Sequence, residues 1–460
     1  MRALQSVLRR VVVVAGALTT ACSAPDPFPV RQDPPPQVSP TADFQPVMAV
    51  QDSGSTDPVL VEAESTPLAE SGVSLTEPSA PRPGDRPLNS GPALRFVRPA
   101  AVRGLYVNAW AAGSRARMDT LFAVADSTEV NTFVVDIKDA SGFVSHASAI
   151  PAVRESGAGG QIRIRDLVGL LKRMKAAGIY PIARIVVAKD PVLADARPGW
   201  AVRDVDGGSW GDARDERWLN LWVDDVRDYH VALALEVAEL GFPEIQWDYI
   251  RFPDAPAEIR ASARFPGAGG TQVEAVERFL AEARTALDAA GVRSTADVFG
   301  VTTSARHDVG VGQVWDAFID EVDSALPMVY PSHFSAGSHG VARPDAQPYE
   351  IVRASLRAAV ARNRSIPGSG SVIPWLQDFT RGSRAHVYGP AEVRAQIQAT
   401  YDAGLQEWVL WNSGSQYTVG ALEPVGGWTT EPDIWVGGRA VPVSKRGEVL
   451  NEVEGGGAGY

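Results

Sequence analysis

The chain has 460 residues and a formal net charge of -12, which argues against a nucleic-acid partner, since that would need a basic face. Its single cysteine, Cys22, excludes an intramolecular disulfide. The length allows one large domain or two ordinary ones, and the apolar and charged fractions are those of a globular protein.

Arg2, Arg9 and Arg10 form a basic start, followed by an apolar run over 11–21 and then Cys22. This is a secretory signal pattern. Its ending resembles bacterial lipoprotein signals, which implies that Cys22 is lipidated and anchors the mature chain to a membrane. Leu18 stands four places before the cysteine, whereas the usual pattern has an aliphatic residue three places before it. A plain cleaved signal, with secretion, is the alternative. The run is well short of the ~20 residues that span a bilayer. Residues 23–100 are rich in Pro, Ser, Thr, Asp and Glu with few large apolar side chains, so they are expected to form a disordered tether.

Eight short apolar stretches then follow between 104 and 413. They read GLYVNAW (104–110), TFVVDIKD (132–139), YPIARIVVAKD (180–190), EIQWDYIRFP (244–253), TADVFG (295–300), SALPMVY (324–330), SVIPWLQDF (371–379) and EWVLWNS (407–413). Amphipathic helical stretches separate most of them. The first starts at Ser114 or Asp119, and the second places Leu167, Leu170, Leu171 and Met174 on one face before Gly178. Others run from Asp224 to Gly241, over 272–290, 348–362 and 390–403, with a shorter one near 312–322. Strands alternating with helices predict a parallel sheet, and eight units predict a closed (β/α)8 TIM barrel over 101–430. A loop-like tail occupies 431–460. The long loop from 191 to 223, with Trp200, Trp210, Trp218 and Trp222, is expected to form a binding wall.

Active sites of such barrels lie at the C-terminal strand ends, which here carry Trp110, Asp139, Lys189, Asp248, Asp297, Tyr330, Asp378 and Trp411. Carboxylates and aromatics around one rim suggest a sugar site: indole faces suit stacking on a sugar ring, and paired carboxylates suit glycosidic cleavage. Asp248 and Gln246 share a strand face, and Arg251 is expected to hold Asp248 ionised. Asp297, next around the ring, is the expected acid. A rim-bracing Asp–Arg pair and a turn-capping Asp297 are the structural alternatives. Asp136 and Lys138 are expected to pair in the lumen, with Arg184 in a similar role. His333, Gln377 and Asn412 join Trp110, Asp139, Lys189, Tyr330, Asp378 and Trp411 as candidate substrate contacts. Trp247, Trp315 and Trp408 are expected in the core. No HExxH motif, His pair or phosphate-binding glycine loop is present. The GGSWG stretch at 207–211 lacks the strand–turn–helix setting of a nucleophile elbow. Neither a metal nor an organic cofactor is expected.

The stretches GLYVNAW, FVVDIKDASGFVSH, ELGFPEIQWDYIRFPD, ADVFG, PMVYPSHF, PWLQDF and EWVLWNSGSQYT resemble a bacterial family of glycosyl hydrolase domains. That family belongs to the glycoside-hydrolase barrel superfamily and is distantly similar to alpha-amylase-type enzymes. The resemblance spans about 102–415. It implies a nucleophile at Asp248, matched as the Asp that ends strand 4. The alpha-amylase pattern has a Glu where Asp297 stands and an Arg where Gln246 stands, so the acid and the stereochemistry are not implied. The expected function is glycoside hydrolysis of a polysaccharide or oligosaccharide at the cell envelope, with a non-catalytic carbohydrate-binding barrel as the rival. A metal-dependent polysaccharide deacetylase fits poorly, because no Asp/His set clusters in the sequence.

Overall fold

The computed structural model describes residues 94–456. The signal, the lipidation expectation at Cys22 and most of the tether therefore lie outside the described residues. Parallel strands β1 (Arg103–Val107), β2 (Thr132–Lys138), β3 (Tyr180–Val186), β4 (Glu244–Asp248), β5 (Arg293–Phe299) and β6 (Ser324–Met328) pair in sequence order. The seventh stave is split into β7 (Ser371–Val372) and β8 (Trp375–Gln377), and β9 (Trp408–Trp411) pairs with β1 to close the ring. The split falls at Pro374, which has no N–H to give to a ladder. The result is the expected (β/α)8 barrel.

The helices form where periodicity and caps coincide. Asp166 accepts the N–H of Gly169 to start helix Leu167–Ala176, which buries the four residues expected on its inner face. Thr271 and Glu274 form a reciprocal capping box on helix Gln272–Ala290, and Gly291 ends it at φ +70°. Between β5 and β6 the chain makes one 3-10 turn at Gly300–Thr303 and one short α-helix at Trp315–Phe318.

Side chains alternate between two cores. Leu105, Val107, Phe133, Val135, Ile185, Ile245, Trp247, Ala296 and Val298 pack outward, against the helices. Tyr106, Val134, Ile182, Leu326, Trp375 and Val409 pack inward. By the same alternation Asp136, Arg184, Gln246, Asp248 and Asp297 face the lumen. Lys138 breaks the pattern. A register shift after Asp136 sets it beside Ile185, an outward residue. Its ammonium pairs with Asp190 at 2.8 Å, both side chains fully buried, and not with Asp136 as alternation predicts.

Two other expectations are corrected. Trp210 and Trp218 of the long loop are buried, and their indoles bond Ser262 at 3.0 Å and Asp212 at 2.9 Å, so they hold the loop together instead of lining a wall. The tail is structured: β10 (Asp433–Val436) and β11 (Arg439–Pro442) form an antiparallel hairpin, followed by helix Arg446–Gly456. Gly437 and Gly438, at φ +59° and +78°, make its two-residue turn. Among the described residues no helix is long and apolar enough to cross a membrane.

Candidate active site

Arg184 is the centre of the lumen. Its Nε donates to Asp248 Oδ2 at 3.0 Å, and its Nη2 donates to the same oxygen. Nη1 donates to Asp136 Oδ1. Nε also lies 3.8 Å from Asp297 Oδ2. Three carboxylates from β2, β4 and β5 thus share one guanidinium, which is itself stacked 5.5 Å from the Tyr106 ring and 5.2 Å from Trp411. Tyr106 donates its hydroxyl to Asp136. Burial pushes the Asp136 carboxyl up to about 6, with Arg184 opposing the rise. A buried cation and its counter-charges must satisfy one another, and this set does so only jointly.

Asp248 has a third donor, the N–H of Tyr249 at 2.6 Å. Tyr249 holds a left-handed backbone, φ +51°, which turns the chain sharply after the strand. Such a conformation costs a non-glycine residue about 1–3 kcal/mol.

Asp297 is bonded on one side only. Trp375 Nε1, at 2.7 Å, and Gln246 Nε2 both donate to Oδ1, while Oδ2 is buried without a hydrogen-bond partner. Burial, then the neighbouring charge of Asp248, raise this carboxyl well above the usual carboxylate range, against the pull of Arg184. Oδ1 thus has the two donors that a carbonyl oxygen accepts, while Oδ2 faces no hydrogen-bond donor. Tyr330 also faces the pair: burial first, then the charges of Asp297 and Asp248, raise its hydroxyl. Trp411 stacks on Tyr106 at 4.0 Å and meets Trp375 edge-on at 5.5 Å, which gives the lumen an aromatic lining.

The other candidates fall into distinct places. Arg251 does not bond Asp248. It pairs with Asp254 at 2.9 Å, with the Tyr249 and Phe299 rings each 4.6 Å away. The partner expected for Asp248 is instead Arg184, from the neighbouring strand. Lys189 pairs with Glu216. Asp139 pairs with Arg163, whose guanidinium lies 5.1 Å from the Trp110 ring. Trp110 is 49% exposed, a platform at the edge of the rim. Gln377 spends its amide on Ser332 N–H and the Phe379 carbonyl, Asp378 accepts the N–H and hydroxyl of Thr418, and Asn412 donates to the Asp378 carbonyl. These three brace the loops at the strand ends through those bonds. His333 and Tyr330 pack around Phe379. Sequence reasoning gave Tyr106 no role, although its alternation with Leu105 and Val107 marks it as inward-facing. An open cavity of about 450 Å³, lined in part by Ala100, Ser371 and Glu407, lies at the opposite end of the strands and away from this chemistry. Among the described residues no group of His, Cys, Asp and Glu is arranged to hold a metal ion.

A closed (β/α)8 barrel with interacting carboxylates at the C-terminal part of its lumen is the class of protein defined by these features. The family model described as "Putative glycosyl hydrolase domain" matches residues 104–417. The chain belongs to that family. No curated protein matches it by sequence. A hypothetical protein from Ruminiclostridium thermocellum is 41% identical, over 42% of this chain and 97% of its own, with a TM-score of 0.39. The glycoside hydrolase domain of PgaB (BpsB) from Bordetella bronchiseptica is 13% identical, over 69% of this chain and 95% of its own, with a TM-score of 0.49. An alpha-galactosidase from Thermus thermophilus is 15% identical, over 71% and 65%, with a TM-score of 0.43.

Proposed function

We propose that the barrel hydrolyses glycosidic bonds of a polysaccharide or oligosaccharide, with Asp248 as nucleophile and Asp297 as general acid. The observation that carries this reading is the asymmetric carboxylate pair around Arg184. Asp248 accepts three N–H bonds, two of them from a cation, as an anion should. Asp297 has a raised carboxyl and one oxygen free to hold a proton. Two carboxylates whose surroundings differ in this way divide into base and acid. Their Oδ2 atoms lie 3.0 and 3.8 Å from the same nitrogen. They can be no farther apart than those two distances laid end to end. That limit sits at the low edge of the ~6.5–9.5 Å of inverting pairs and accommodates the ~5–5.5 Å of retaining ones. We take the retaining course, in which Asp248 attacks the anomeric carbon. We further propose that the protein is exported and tethered through a lipidated Cys22.

The test is a panel of bacterial and plant polysaccharides, scored by reducing ends released. Asp297→Asn is expected to lose about 10²–10⁴-fold on these substrates, the usual worth of a general acid. The loss should be much smaller on 2,4-dinitrophenyl glycosides, whose leaving group needs no proton. An equal loss on both would remove the acid role. Trp110→Ala is expected to raise KM about 2- to 10-fold with kcat unchanged, the worth of one stacking contact; an unchanged KM on long substrates would exclude a subsite there. The rival reading is a carbohydrate-binding barrel, which needs the half-exposed Trp110 face but no proton from Asp297. Glycan binding without cleavage would establish that rival.

A further inference from the structure

We infer that Arg184 is a shared counter-ion that passes from Asp248 to Asp297 as the reaction proceeds, so that the buried charge around it stays constant. The inference rests on the hydrolase reading above and adds to it a positioning residue that neither donates nor accepts the reacting proton.

In the first step an Asp248 oxygen bonds to the anomeric carbon, the bond from that carbon to the leaving oxygen breaks, and that oxygen takes the proton of Asp297. Asp248 goes from anion to neutral ester while Asp297 goes from neutral acid to anion. In the second step a water oxygen bonds to the same carbon, its proton returns to Asp297, and Asp248 leaves as the carboxylate. One negative charge therefore crosses the lumen and comes back in each turnover. Both carboxyls are almost fully buried, and an unpaired charge there would cost several kcal/mol. A cation fixed on Asp248 alone would oppose the crossing.

Arg184 is placed to follow it. The Nε that bonds Asp248 at 3.0 Å already lies 3.8 Å from Asp297 Oδ2, the one buried Asp297 oxygen without a hydrogen-bond partner. A shift of under ~1 Å would make that contact a hydrogen bond. The pivot is the far end of the guanidinium, where Nη1 is held by Asp136 and Asp136 by the Tyr106 hydroxyl. The rings of Tyr106 and Trp411, stacked on each other at 4.0 Å, lie together on one side of the guanidinium, 5.5 and 5.2 Å from its carbon. Arg251, the other cation near Asp248, is committed to Asp254 at 2.9 Å, and the remaining polar groups facing the pair are Gln246, Trp375 and Tyr330. The first two are neutral, and burial with the neighbouring carboxylates keeps the Tyr330 hydroxyl protonated, so none of them can supply the missing positive charge.

Asp248→Asn imitates the neutral, occupied nucleophile without any substrate, and makes the test direct. In the full-length protein with ¹³C-labelled Asp and ¹⁵N-labelled Arg, the Asp297 carboxyl is expected to titrate about 1–3 pH units lower than in wild type, and the Arg184 Nε signal should follow that same titration. A crystal structure of the variant above that midpoint should show Nε within hydrogen-bond distance of Asp297 Oδ2. Arg184→Lys, which keeps the charge but lacks the fork, should leave much less of the shift when combined with Asp248→Asn. If Nε stays where it is and its signal ignores Asp297, the exchange is wrong even though Asp248→Asn is inactive. If Asp248→Asn hydrolyses glycans at the wild-type rate, the hydrolase reading itself fails, and the step that Arg184 would serve fails with it.

Discussion

Asp248→Asn is expected to abolish the release of reducing ends, by about 10⁴-fold or more, the scale on which nucleophile removal acts in other hydrolases. At 1.36 kcal/mol per decade this is a loss of over ~5 kcal/mol of transition-state stabilisation. The amide has nearly the shape of the carboxylate but cannot bond covalently to the anomeric carbon. Arg184 keeps Asp136 at its Nη1 and Asp297 at 3.8 Å from Nε, so its charge is not stranded. The melting temperature is therefore expected to stay within a few degrees of wild type. Initial rates on the substrate that the panel identifies, read beside a thermal scan, check both halves. Wild-type rates in a folded variant would end the assignment. A collapse in melting temperature would instead show that Asp248 is a structural anion, as a rim-bracing role requires.

The sequence shows the barrel because the strands are short and apolar and most are followed by a helix with a clear period and stop residue; Leu167, Leu170, Leu171 and Met174 are one case. It shows the site less well, because site chemistry depends on neighbours across strands. Arg251 stands three residues from Asp248 and looks like its partner, yet it lies past the strand end and turns to Asp254. Arg184 is far away in sequence, but the pairing of β3 with β4 sets it beside Gln246, and it reaches Asp248 from there. Lys138 was misplaced by a bulge, which slips every later side chain to the other face. Gln377, Asp378 and Asn412 have the residue types of a sugar site, but loop backbone buried at the rim must be bonded, and they supply those bonds. The tail was legible in principle: DIWV and RAVP around Gly437 and Gly438 carry the signal of a two-residue hairpin.

Arg184→Met is the substitution expected to do most damage to stability, about 3–5 kcal/mol near neutral pH, the cost of removing one partner from a buried ionic cluster. Asp136 loses its cation, Asp248 loses two of its three donors, and the opposing influence on Asp297 disappears. The loss should depend on pH, and its sign follows from Asp136. In the folded wild type that carboxyl is raised from 3.8 to about 6, so the native state holds the proton more tightly than the unfolded chain does. The stability it contributes is full below pH 3.8 and is lost as pH rises through about 6. Without the guanidinium, which lowers it, the folded value climbs further and the loss extends to higher pH. The variant should therefore fall further behind wild type as pH rises from 5 to 7.5. Urea titrations of both proteins at these two pH values decide the matter. A deficit that grows with pH locates the damage in stranded carboxylates, whereas an equal deficit at both would locate it in packing against Tyr106 and Trp411.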